Sequence, residues 1–517
     1  MVRGAVAAGH SETAEAGAWA LREGGNAVDA AVAAVAASMA VESPLTGLGA
    51  GGYMLVSDPA TEPVLLDFFV AAPGLGERER TSELIPVDVD FGGTTQVFNI
   101  GAASCGVPGT PAGLAEANAR FGSMPLADLL APAIDLARNG VEVNRQQAYL
   151  LTILSPVLIH QPEGVAIYAP GGSPLREGER FVFGELADAL ELLASEGAEP
   201  FFRGEVAERI CDWVGARGGL LSPEDMAAYE PVAREPVRIP FMGSEILTNP
   251  PPSAGGLLIA FALALLERLE RADLPALVAA MEQAQHARSQ DFVTGLYERG
   301  FAGRFLAPPV VGEAARRCRE ALRPPRRPPP PGDRLGSTTH ITAVDGEGRC
   351  ASVTCSNGTG SGLLVPGTGI HVNNMLGEQD LNPFGFHATL PARRMPSMMS
   401  PTVVLRDGLL EAGLGSAGSN RIRSAVAQAI VRIVVEGMEA ADAVAAPRVH
   451  YEDEVVHAEP GIDEAGLALL ADRGYEIVRW RSQNLFFGGV NAVVRDPASG
   501  RLSGGGDPRR GGAVALA

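Results

Sequence analysis

The pattern of apolar positions changes near residue 337. Between residues 110 and 300 apolar residues recur at helical spacing, as in PLADLLAPAIDLARNG and GLLIAFALALLERLERAD, and turn residues separate the segments. After residue 337 apolar and polar residues alternate in THITAVD, CASVTCS and NAVVRD, which is typical of strands. Helices and strands of this second part fall into separate runs. The pattern therefore predicts an α+β fold with helices packed on mostly antiparallel sheets.

The first fifty residues predict two helices followed by a glycine-rich turn. Segment 11–25 is expected to be a helix with Ser11 as its N-cap. Segment 26–42 predicts a helix of small residues that must pack closely, most plausibly against a sheet. The glycines of GLGAGGYMLVSD match G-x-G-x-x-G, but they follow a helix and precede a strand, the reverse of the order that a dinucleotide site needs. We interpret them as a tight turn where backbone packs on backbone.

Composition and charge argue against several classes of protein, among them nucleic-acid-binding and membrane proteins. The 517 residues are 46% hydrophobic and 20% charged, so the chain can bury a large core. The formal net charge of −20 argues against nucleic acid and anionic membranes as partners. The sequence shows neither a membrane span nor an apolar signal core, which predicts a cytoplasmic protein. The five cysteines are scattered, as in a reducing compartment, and we expect no metal and no cofactor.

A proline-rich run, RPPRRPPPPGDRLGS, ends directly before the strand pattern TTHITAVD. Such a run adopts extended polyproline II, and it could be a plain linker or an SH3-type ligand. A third interpretation concerns the bond between Ser337 and Thr338. If that bond is cut, the α-amine of Thr338, with a pKa of about 7.7–8.0, becomes a base beside the threonine hydroxyl. One residue then supplies nucleophile and base, although taken alone a threonine here is more often an ordinary strand residue.

Ordered segments along nearly the whole chain resemble the γ-glutamyltransferase family of N-terminal-nucleophile hydrolases. They are REGGNAVDAAVA, GAGGYMLV, VPGTPAGLAEANARFGSMPLADLLAPAIDLARNG, YEPVAREPVRIPF, NPPPSAGG, STTHITAVD, GTGIHVNN, PSMMSPTVVL, GSAGSNRI and APRVH. The resemblance implies a four-layer αββα sandwich and no cofactor. It also implies a precursor that cuts itself before Thr338. The large region 1–337 and the small region 338–517 would remain one interleaved domain.

The resemblance assigns the chemical steps to a few positions. Thr338 matches the nucleophile, whose hydroxyl would attack the carbonyl of Ser337 during self-cleavage and the substrate amide afterwards. Ser356 falls where the family has a threonine that hydrogen-bonds the new terminal amine. The backbone N–H groups of Gly418 and Ser419 match the paired glycines that hold the oxyanion, a role that a backbone donor keeps if its φ permits.

The substrate-binding positions match the family less well. Phe69 stands where the family has an arginine for the α-carboxylate of the substrate, and an apolar ring cannot replace a guanidinium. Glu378 replaces an aspartate and could still accept from an α-ammonium, although by default it would be a solvated carboxylate. A family glutamine becomes Met375. The remaining candidates for substrate contact are Asn357, Ser397 and Met398.

Three side-chain assignments remain open from the sequence. His340 could form a dyad with Thr338, since both would point to one face of a regular strand, but a hydrogen-bonded structural histidine is the interpretation we favour. The asparagine pair 373–374 fits turn chemistry better than ligand contact. Arg393 or Arg394 could compensate for the arginine that is missing at position 69.

These positions support three hypotheses about function. The first is a self-processing threonine amidohydrolase that hydrolyses or transfers γ-glutamyl groups of glutathione and related amides, with water, an amino acid or a peptide as acceptor. The second is an acylase for another acyl amide, of cephalosporin or glutaryl type, because Phe69 and the methionines make the acyl pocket more apolar. The third is an unprocessed, non-catalytic binding homologue. In the first two, the large and small fragments stay associated, and further homo-oligomerisation is open.

Overall fold

The computed structural model describes residues 3–90, 95–321 and 338–517. The proline-rich run and Ser337 lie outside these residues, so the predictions about them remain predictions. The strands are, in chain order, β1 (Gly4–Ala8), β2 (Gly51–Ser57), β3 (Val64–Phe68), β4 (Ile85–Asp90), β5 (Thr95–Ile100), β6 (Val141–Glu142), β7 (Arg180–Phe181), β8 (Val232–Arg234), β9 (Val237–Phe241), β10 (Ser244–Thr248), β11 (Thr339–Asp345), β12 (Cys350–Ser356), β13 (Leu364–Val365), β14 (Ile370–His371), β15 (Thr402–Arg406), β16 (Leu409–Ala417), β17 (Val449–Glu452), β18 (Val455–Ala458), β19 (Glu476–Arg479), β20 (Gly489–Arg495), β21 (Leu502–Gly505) and β22 (Ala513–Leu516).

Helices occupy most of the middle of the chain, as the apolar spacing predicts. They are α1 (Ser11–Arg22), α2 (Ala27–Val41), α3 (Thr110–Phe121), α4 (Leu126–Asn139), α5 (Arg145–Ile153), α6 (Ser155–Leu158), α7 (Pro162–Tyr168), α8 (Gly184–Glu196), α9 (Pro200–Arg203), α10 (Glu205–Gly215), α11 (Pro223–Ala227), α12 (Gly255–Leu269), α13 (Leu274–Ala287), α14 (Gln290–Gly295), α15 (Phe301–Phe305), α16 (Pro308–Ala321), α17 (Arg421–Val434), α18 (Ala440–Ala445) and α19 (Glu464–Asp472). Among the described residues, no helix is long and apolar enough to cross a membrane.

Two large antiparallel sheets organise the molecule. One has seven strands in the order β22-β1-β11-β12-β2-β3-β8, and the other has six in the order β21-β20-β16-β15-β10-β9. Strands β11 and β12 contact β16 across the interface between the sheets, and β11 also contacts β20. Helices α1 and α2 contact the seven-stranded sheet, whereas α12 and α17 contact the six-stranded one. The prediction of a mixed α+β fold with mostly antiparallel sheets is confirmed; β18 and β19 form a parallel pair in a smaller sheet.

Helix α2 is built of small residues and packs closely against other elements on all sides. All of its residues are buried, and it packs against α1 and α4 as well as against β11 and β12. Asn26 and Asp29 close a capping box at its start. The expected packing on a sheet is confirmed. The expected cap of α1 is wrong: His10, not Ser11, is the N-cap, because the His10 ring accepts from the Glu12 N–H at 3.1 Å.

The glycine-rich turn brings three backbone segments into contact beside the central strands. A Cβ on Gly49 would come within 2.1 Å of the His371 carbonyl oxygen, and one on Gly52 within 2.5 Å of the Thr354 carbonyl oxygen. No side chain fits at either position, so the interpretation as close backbone packing is confirmed. Through Gly52, strand β2 pairs directly with Cys355 of β12.

Candidate active site

Thr338 lies immediately before β11, at the edge of a cavity. Its side chain is 5% exposed. The described residues that line this cavity, which we call the Thr338 cavity, are Phe69, Thr338, Ser356, Gly358, Met375, Glu378, Asp380, Leu381, Ser397, Met398, Met399, Ser419 and Ile422. The fold therefore brings eight of the positions named in the sequence analysis together from segments up to hundreds of residues apart.

Strand pairing places Ser356 beside the candidate nucleophile. Thr339 pairs with Cys355, so the residues next to them, Thr338 and Ser356, also lie side by side. The Thr338 hydroxyl donates to Ser356 Oγ at 3.4 Å, and the N–H of Gly358 donates to the same oxygen at 2.9 Å. Ser356 is thus fixed by its own loop and presents its oxygen to Thr338.

The loop after β16 presents two backbone N–H groups near the start of α17. Gly418 has φ +118° and Ser419 has φ +51°, so both lie in the left-handed region. Within the described parts of the chain, neither N–H has a backbone acceptor. The Ser419 hydroxyl donates to Asp380 Oδ2 at 2.7 Å, which offsets the cost of the left-handed conformation in a residue other than glycine. Ser419 is one of the described residues that line the Thr338 cavity. Gly418, the preceding residue in the chain, is not.

The far wall of the Thr338 cavity is apolar. Phe69 is buried and stacks on Tyr53 with ring centroids 5.4 Å apart. Methionines and branched aliphatic residues complete this wall, and none of the described lining residues is arginine, lysine or histidine. A carboxylate on the acyl group would therefore meet an apolar ring where the family resemblance places a guanidinium.

Neither arginine proposed to compensate for Phe69 reaches this cavity. The Arg394 guanidinium lies 3.4 Å from Asp67 Oδ1 and 4.2 Å from the centre of the Tyr229 ring. The Arg393 guanidinium lies 5.3 Å from the centre of the Tyr297 ring. Both arginines line a separate surface groove. Neither arginine therefore compensates for Phe69 in this structure, because the Arg394 guanidinium contacts Asp67 and Tyr229 and the Arg393 guanidinium contacts Tyr297.

Glu378 is buried rather than solvated. It is 9% exposed, and its Oε1 accepts the N–H of Thr359 at 3.3 Å. Burial, with a smaller contribution from Asp380, raises the pKa of Glu378 to about 8. The default expectation of a solvated carboxylate is therefore wrong. At neutral pH this group is mostly protonated and can both donate and accept hydrogen bonds.

Asn357 and the asparagine pair 373–374 hold loops together. Asn357 is fully buried, its Nδ2 donates to the His371 carbonyl at 3.2 Å, and it is not among the described residues that line the Thr338 cavity. Asn373 Nδ2 donates to Gly49 and Gly106 carbonyls, and Asn374 Nδ2 donates to Thr359 Oγ1. The structure thus places the candidate Asn357 beside the cavity wall and not in it.

His340 lies in the interface between the two large sheets. Its Nδ1 is 2.8 Å from Thr354 Oγ1 and its Nε2 is 2.9 Å from Thr342 Oγ1. Burial lowers the pKa of His340 to about 3, so the ring is neutral. Both ring nitrogens have partners other than Thr338, and the structural interpretation of this histidine is confirmed.

Sequence reasoning did not identify Asp380 as part of the site. This residue accepts from Ser419, and Arg288 donates to its backbone carbonyl at 2.6 Å. These three residues are far apart in the chain, and no local motif joins them. Met399 and Ile422 were also missed, although each lies within a segment that was quoted for the resemblance.

One group of metal-type ligands lies away from this site. The ligand atoms of Glu282, His286 and Glu454 lie within 4.8 Å of one another. His286 Nε2 and Glu454 Oε1 are 3.6 Å apart, which is the geometry of an ordinary histidine–carboxylate pair. None of the three is among the described residues lining the Thr338 cavity.

Comparisons with known proteins agree over nearly the whole chain. A family model described as gamma-glutamyltranspeptidase matches residues 13–517. The chain is 33% identical over 518 residues to the acylase ACY 1 proenzyme of Pseudomonas sp. (strain SE83), covering 97% of this chain and 91% of that one. It is 32% identical to the glutathione hydrolase proenzyme of Escherichia coli (strain K12), covering 98% and 90%.

A solved structure supports the same assignment. The crystal structure of cephalosporin acylase from Bacillus halodurans superposes with a TM-score of 0.84 at 26% identity, covering 99% of this chain and 96% of that chain. The chain therefore belongs to the gamma-glutamyltranspeptidase family of N-terminal-nucleophile hydrolases.

Proposed function

We propose that this protein is a self-processing threonine amidohydrolase whose acyl-enzyme forms on Thr338. The observation that carries the proposal is the shared cavity of Thr338, Ser356 and Ser419. It unites a candidate nucleophile, a hydroxyl that holds it, and a loop with two N–H groups that have no backbone acceptor within the described residues. The two-sheet core with helices on both outer faces supports, as part of the same proposal, a four-layer αββα sandwich.

The proposed chemistry uses the same threonine twice. In the precursor the Thr338 hydroxyl attacks the Ser337 carbonyl, the peptide C–N bond breaks as an ester forms, and water then hydrolyses the ester. The free α-amine that results is the base for the second reaction, in which it takes the hydroxyl proton while the oxygen attacks the substrate amide. The N–H groups of Gly418 and Ser419 stabilise the oxyanion, and the proton passes to the leaving amine.

Processing would leave the two regions interlocked. Strands β1, β2, β3 and β8 come from before residue 338, and β11, β12 and β22 come from after it, yet all seven share one sheet. This supports the proposal that 1–337 and 338–517 form one interleaved domain. It also supports two fragments that stay associated after cleavage.

The acyl group has two candidates. The first is γ-glutamyl, since one relative is a glutathione hydrolase proenzyme. The second is an acyl group without the α-carboxylate that requires an arginine clamp, since other relatives are an acylase proenzyme and a cephalosporin acylase. Phe69 and the absence of a basic residue among the described lining residues favour the second candidate. A glutaryl group also carries a carboxylate, so the cavity favours a neutral acyl chain over glutaryl.

Self-processing is tested on a denaturing gel. The purified chain should convert to two fragments, and mass spectrometry should find Thr338 at the N-terminus of the smaller one. Thr338→Ala should remain a single band, and Thr338→Ser, which keeps a hydroxyl, should still be cut. A folded wild-type chain that stays uncut, without amidase activity, would instead establish the unprocessed binding homologue.

The acyl group is tested with three p-nitroanilides, γ-glutamyl, glutaryl and hexanoyl, using processed enzyme with Thr338→Ala as the blank. A missing charged hydrogen bond of about 1.5–3 kcal/mol corresponds to roughly 10- to 100-fold in kcat/KM. We expect kcat/KM to be highest for hexanoyl by a factor in that range. A preference of that size for γ-glutamyl would remove the acylase alternative.

A further inference from the structure

A surface groove lies apart from the Thr338 cavity and shares no described lining residue with it. It is formed by β8 and the residues before it, by the loop before α12, by the segment that joins α14 to α15, and by residues 392–394. We call it the Arg393 groove. It holds about 770 Å³ of free space. Small-molecule sites usually hold about 300–1,000 Å³, so the groove has room for an organic ligand.

Two arginines of this groove have guanidinium donors to offer a ligand. The side chains of Arg299 and Arg393 are exposed, and within the described part of the chain neither guanidinium makes a hydrogen bond or an ion pair. The Arg393 guanidinium lies 5.3 Å from the centre of the Tyr297 ring. Such a contact uses the face of the guanidinium and leaves its N–H groups, which point outward in the plane, without an acceptor.

Tyr297 brings these two arginines to the same part of the groove. Its ring lies beside the Arg393 guanidinium, and its hydroxyl donates to the Arg394 carbonyl at 3.0 Å. Arg299 follows Tyr297 by two residues. The segment that carries Arg299 is therefore bonded to the segment that carries Arg393. A ligand would find both arginines already brought together, which lowers the cost of binding.

Two carboxylates also line the groove, and they oppose an anion unequally. Arg304 Nη2 donates to Glu298 Oε2 at 2.5 Å, so the charge of Glu298 is already compensated. The side chain of Glu230 is exposed, and no ion pair engages it among the described residues. The charge of Glu230 must therefore be set against those of the arginines.

The arginines of the groove outweigh that carboxylate. They are Arg234, Arg299, Arg393 and Arg394. Asp67 lies 2.8 Å from Arg234 and 3.4 Å from Arg394, and it offsets one of these two charges. Three guanidinium charges then remain against the carboxylate of Glu230, an excess that suits a ligand with two negative charges. The net negative charge of the whole chain acts from farther away, where salt screens it beyond about 8 Å.

We propose that the Arg393 groove is a second small-molecule site, which binds a small organic phosphate monoester. The dianionic phosphoryl group would accept from Arg299 and Arg393, and the carbon part would contact the apolar side chains of Val232, Pro251 and Leu296. A phosphoryl group offers three terminal oxygens, enough for two guanidinium groups at once. A carboxylate has two oxygens, which a single guanidinium fork can occupy, and it carries half the charge.

The groove is connected to the Thr338 cavity through Asp67. This carboxylate contacts Arg234 and Arg394 of the groove, and its Oδ1 accepts the Phe69 N–H at 3.0 Å. Phe69 lines the Thr338 cavity. A phosphate ester in the groove would thus lie beside the arginines that hold Asp67, which in turn holds the backbone of Phe69. The proposal itself concerns binding and does not depend on the proposed amidase activity.

Titration calorimetry of the purified full-length chain with three probes at about pH 7.5 tests the proposal. Phenyl phosphate is mostly a dianion at this pH because the second pKa of a phosphate ester is about 6. Benzoate carries one negative charge on the same ring, and phenol carries none. We expect saturable binding of phenyl phosphate in the millimolar range or tighter, and roughly tenfold weaker binding or less of benzoate and phenol. No saturable binding of phenyl phosphate, or equal binding of phenyl phosphate and benzoate, would overturn the proposal.

Two variants and one control locate the bound probe. Arg299→Gln and Arg393→Gln each remove a charged donor, so each should weaken binding of phenyl phosphate by roughly tenfold. Both positions are exposed, so the melting temperature should not change. Arg176→Gln removes the same charge at an exposed position that is not among the described lining residues of the groove, and it should bind like wild type. Wild-type affinity in both Arg299→Gln and Arg393→Gln, or an equal loss in Arg176→Gln, would refute the proposal.

Discussion

The Thr338 hydroxyl donates to Ser356 Oγ across 3.4 Å, and that oxygen also accepts the Gly358 N–H at 2.9 Å. The first distance is longer than an ordinary O–H···O bond, and a serine hydroxyl is no base at neutral pH. Ser356 can therefore orient Thr338 under the proposed function, but it cannot act as its base. The proton must go to another group, for which the α-amine that cleavage would create is the nearest candidate in the covalent structure.

Removal of the Ser356 hydroxyl should slow both reactions of Thr338. Ser356→Ala leaves the Gly358 N–H without its acceptor and the nucleophile without its partner, so we expect about a tenfold lower rate of self-cleavage and of amide turnover. Ser356→Thr keeps a hydroxyl and should stay within a few-fold of wild type. The rates are read from fragment formation and from kcat of the processed enzyme. Ser352→Ala removes a hydroxyl from the same strand, where it donates to the Leu414 carbonyl, and serves as the matched control.

Stability should depend on pH through Glu378. Its pKa is about 8 in the folded protein against an ordinary value of 4.5, because burial and Asp380 disfavour the charged form. A carboxyl with a raised pKa binds more protons when folded, so its contribution to stability is full below pH 4.5 and is lost as pH rises to about 8. Glu378→Gln, which stays neutral, should be more stable than its parent above that pH by a few kcal/mol.

This difference can be measured by urea unfolding in an uncut Thr338→Ala background at about pH 5 and about pH 8.5. The gain from Glu378→Gln should be large at the higher pH and should shrink at the lower one. Glu12→Gln, at an exposed position, controls for loss of a charge as such. An equal gain at both pH values would show that Glu378 does not titrate in this window.

His340 should matter for stability and little for catalysis. Both ring nitrogens are hydrogen-bonded to threonine hydroxyls in the buried interface between the sheets. His340→Ala leaves a cavity and removes the ring partner of the Thr354 hydroxyl, whereas the Thr342 hydroxyl keeps the Asn491 carbonyl as its acceptor, so we expect a loss of about 2–4 kcal/mol in the free energy of unfolding. The kcat of the fraction that folds should stay within about tenfold of wild type, which corresponds to no more than 1.4 kcal/mol. A stable variant with a far lower kcat would revive the dyad interpretation.

Arg393 should not contribute to recognition of a substrate carboxylate. Its guanidinium stacks on Tyr297 and lines a groove separate from the Thr338 cavity. Arg393→Ala should therefore change KM for γ-glutamyl p-nitroanilide by less than about twofold, and its effect should be equal for hexanoyl p-nitroanilide. A selective loss of the γ-glutamyl reaction would mean that this arginine moves into the cavity when substrate binds.

The local sequence pattern was sufficient to predict several helices and strands and many of the residues of the candidate site. The segments THITAVD and CASVTCS correspond to β11 and β12 residue for residue. Every residue of both strands is buried, because α2 covers one face of the strands and β16 the other, so the alternation separates the two packed faces and not a buried face from an exposed one. The small residues of segment 26–42 required close packing, and α2 packs that way. The ordered motifs identified Thr338, Ser356 and Ser419, which the structure brings to one cavity. The prediction that Ser11 caps α1 was wrong because Ser11 is already the first helical residue, and the extended residue before it, His10, caps the helix through its ring although histidine is not among the preferred N-cap residues.

Tertiary structure alone decided what surrounds the candidate nucleophile. The contact between Ser419 and Asp380 and the engagement of Arg394 by Asp67 each join segments far apart in the chain. The stacking of Phe69 on Tyr53 depends on the pairing of the neighbouring strands β2 and β3. Glu378 looks solvated in sequence and is buried in the fold, since desolvation depends on neighbours that the local sequence does not specify. Local sequence thus determined which residues could do chemistry, and long-range packing decided the charge and shape of the pocket in which they would do it.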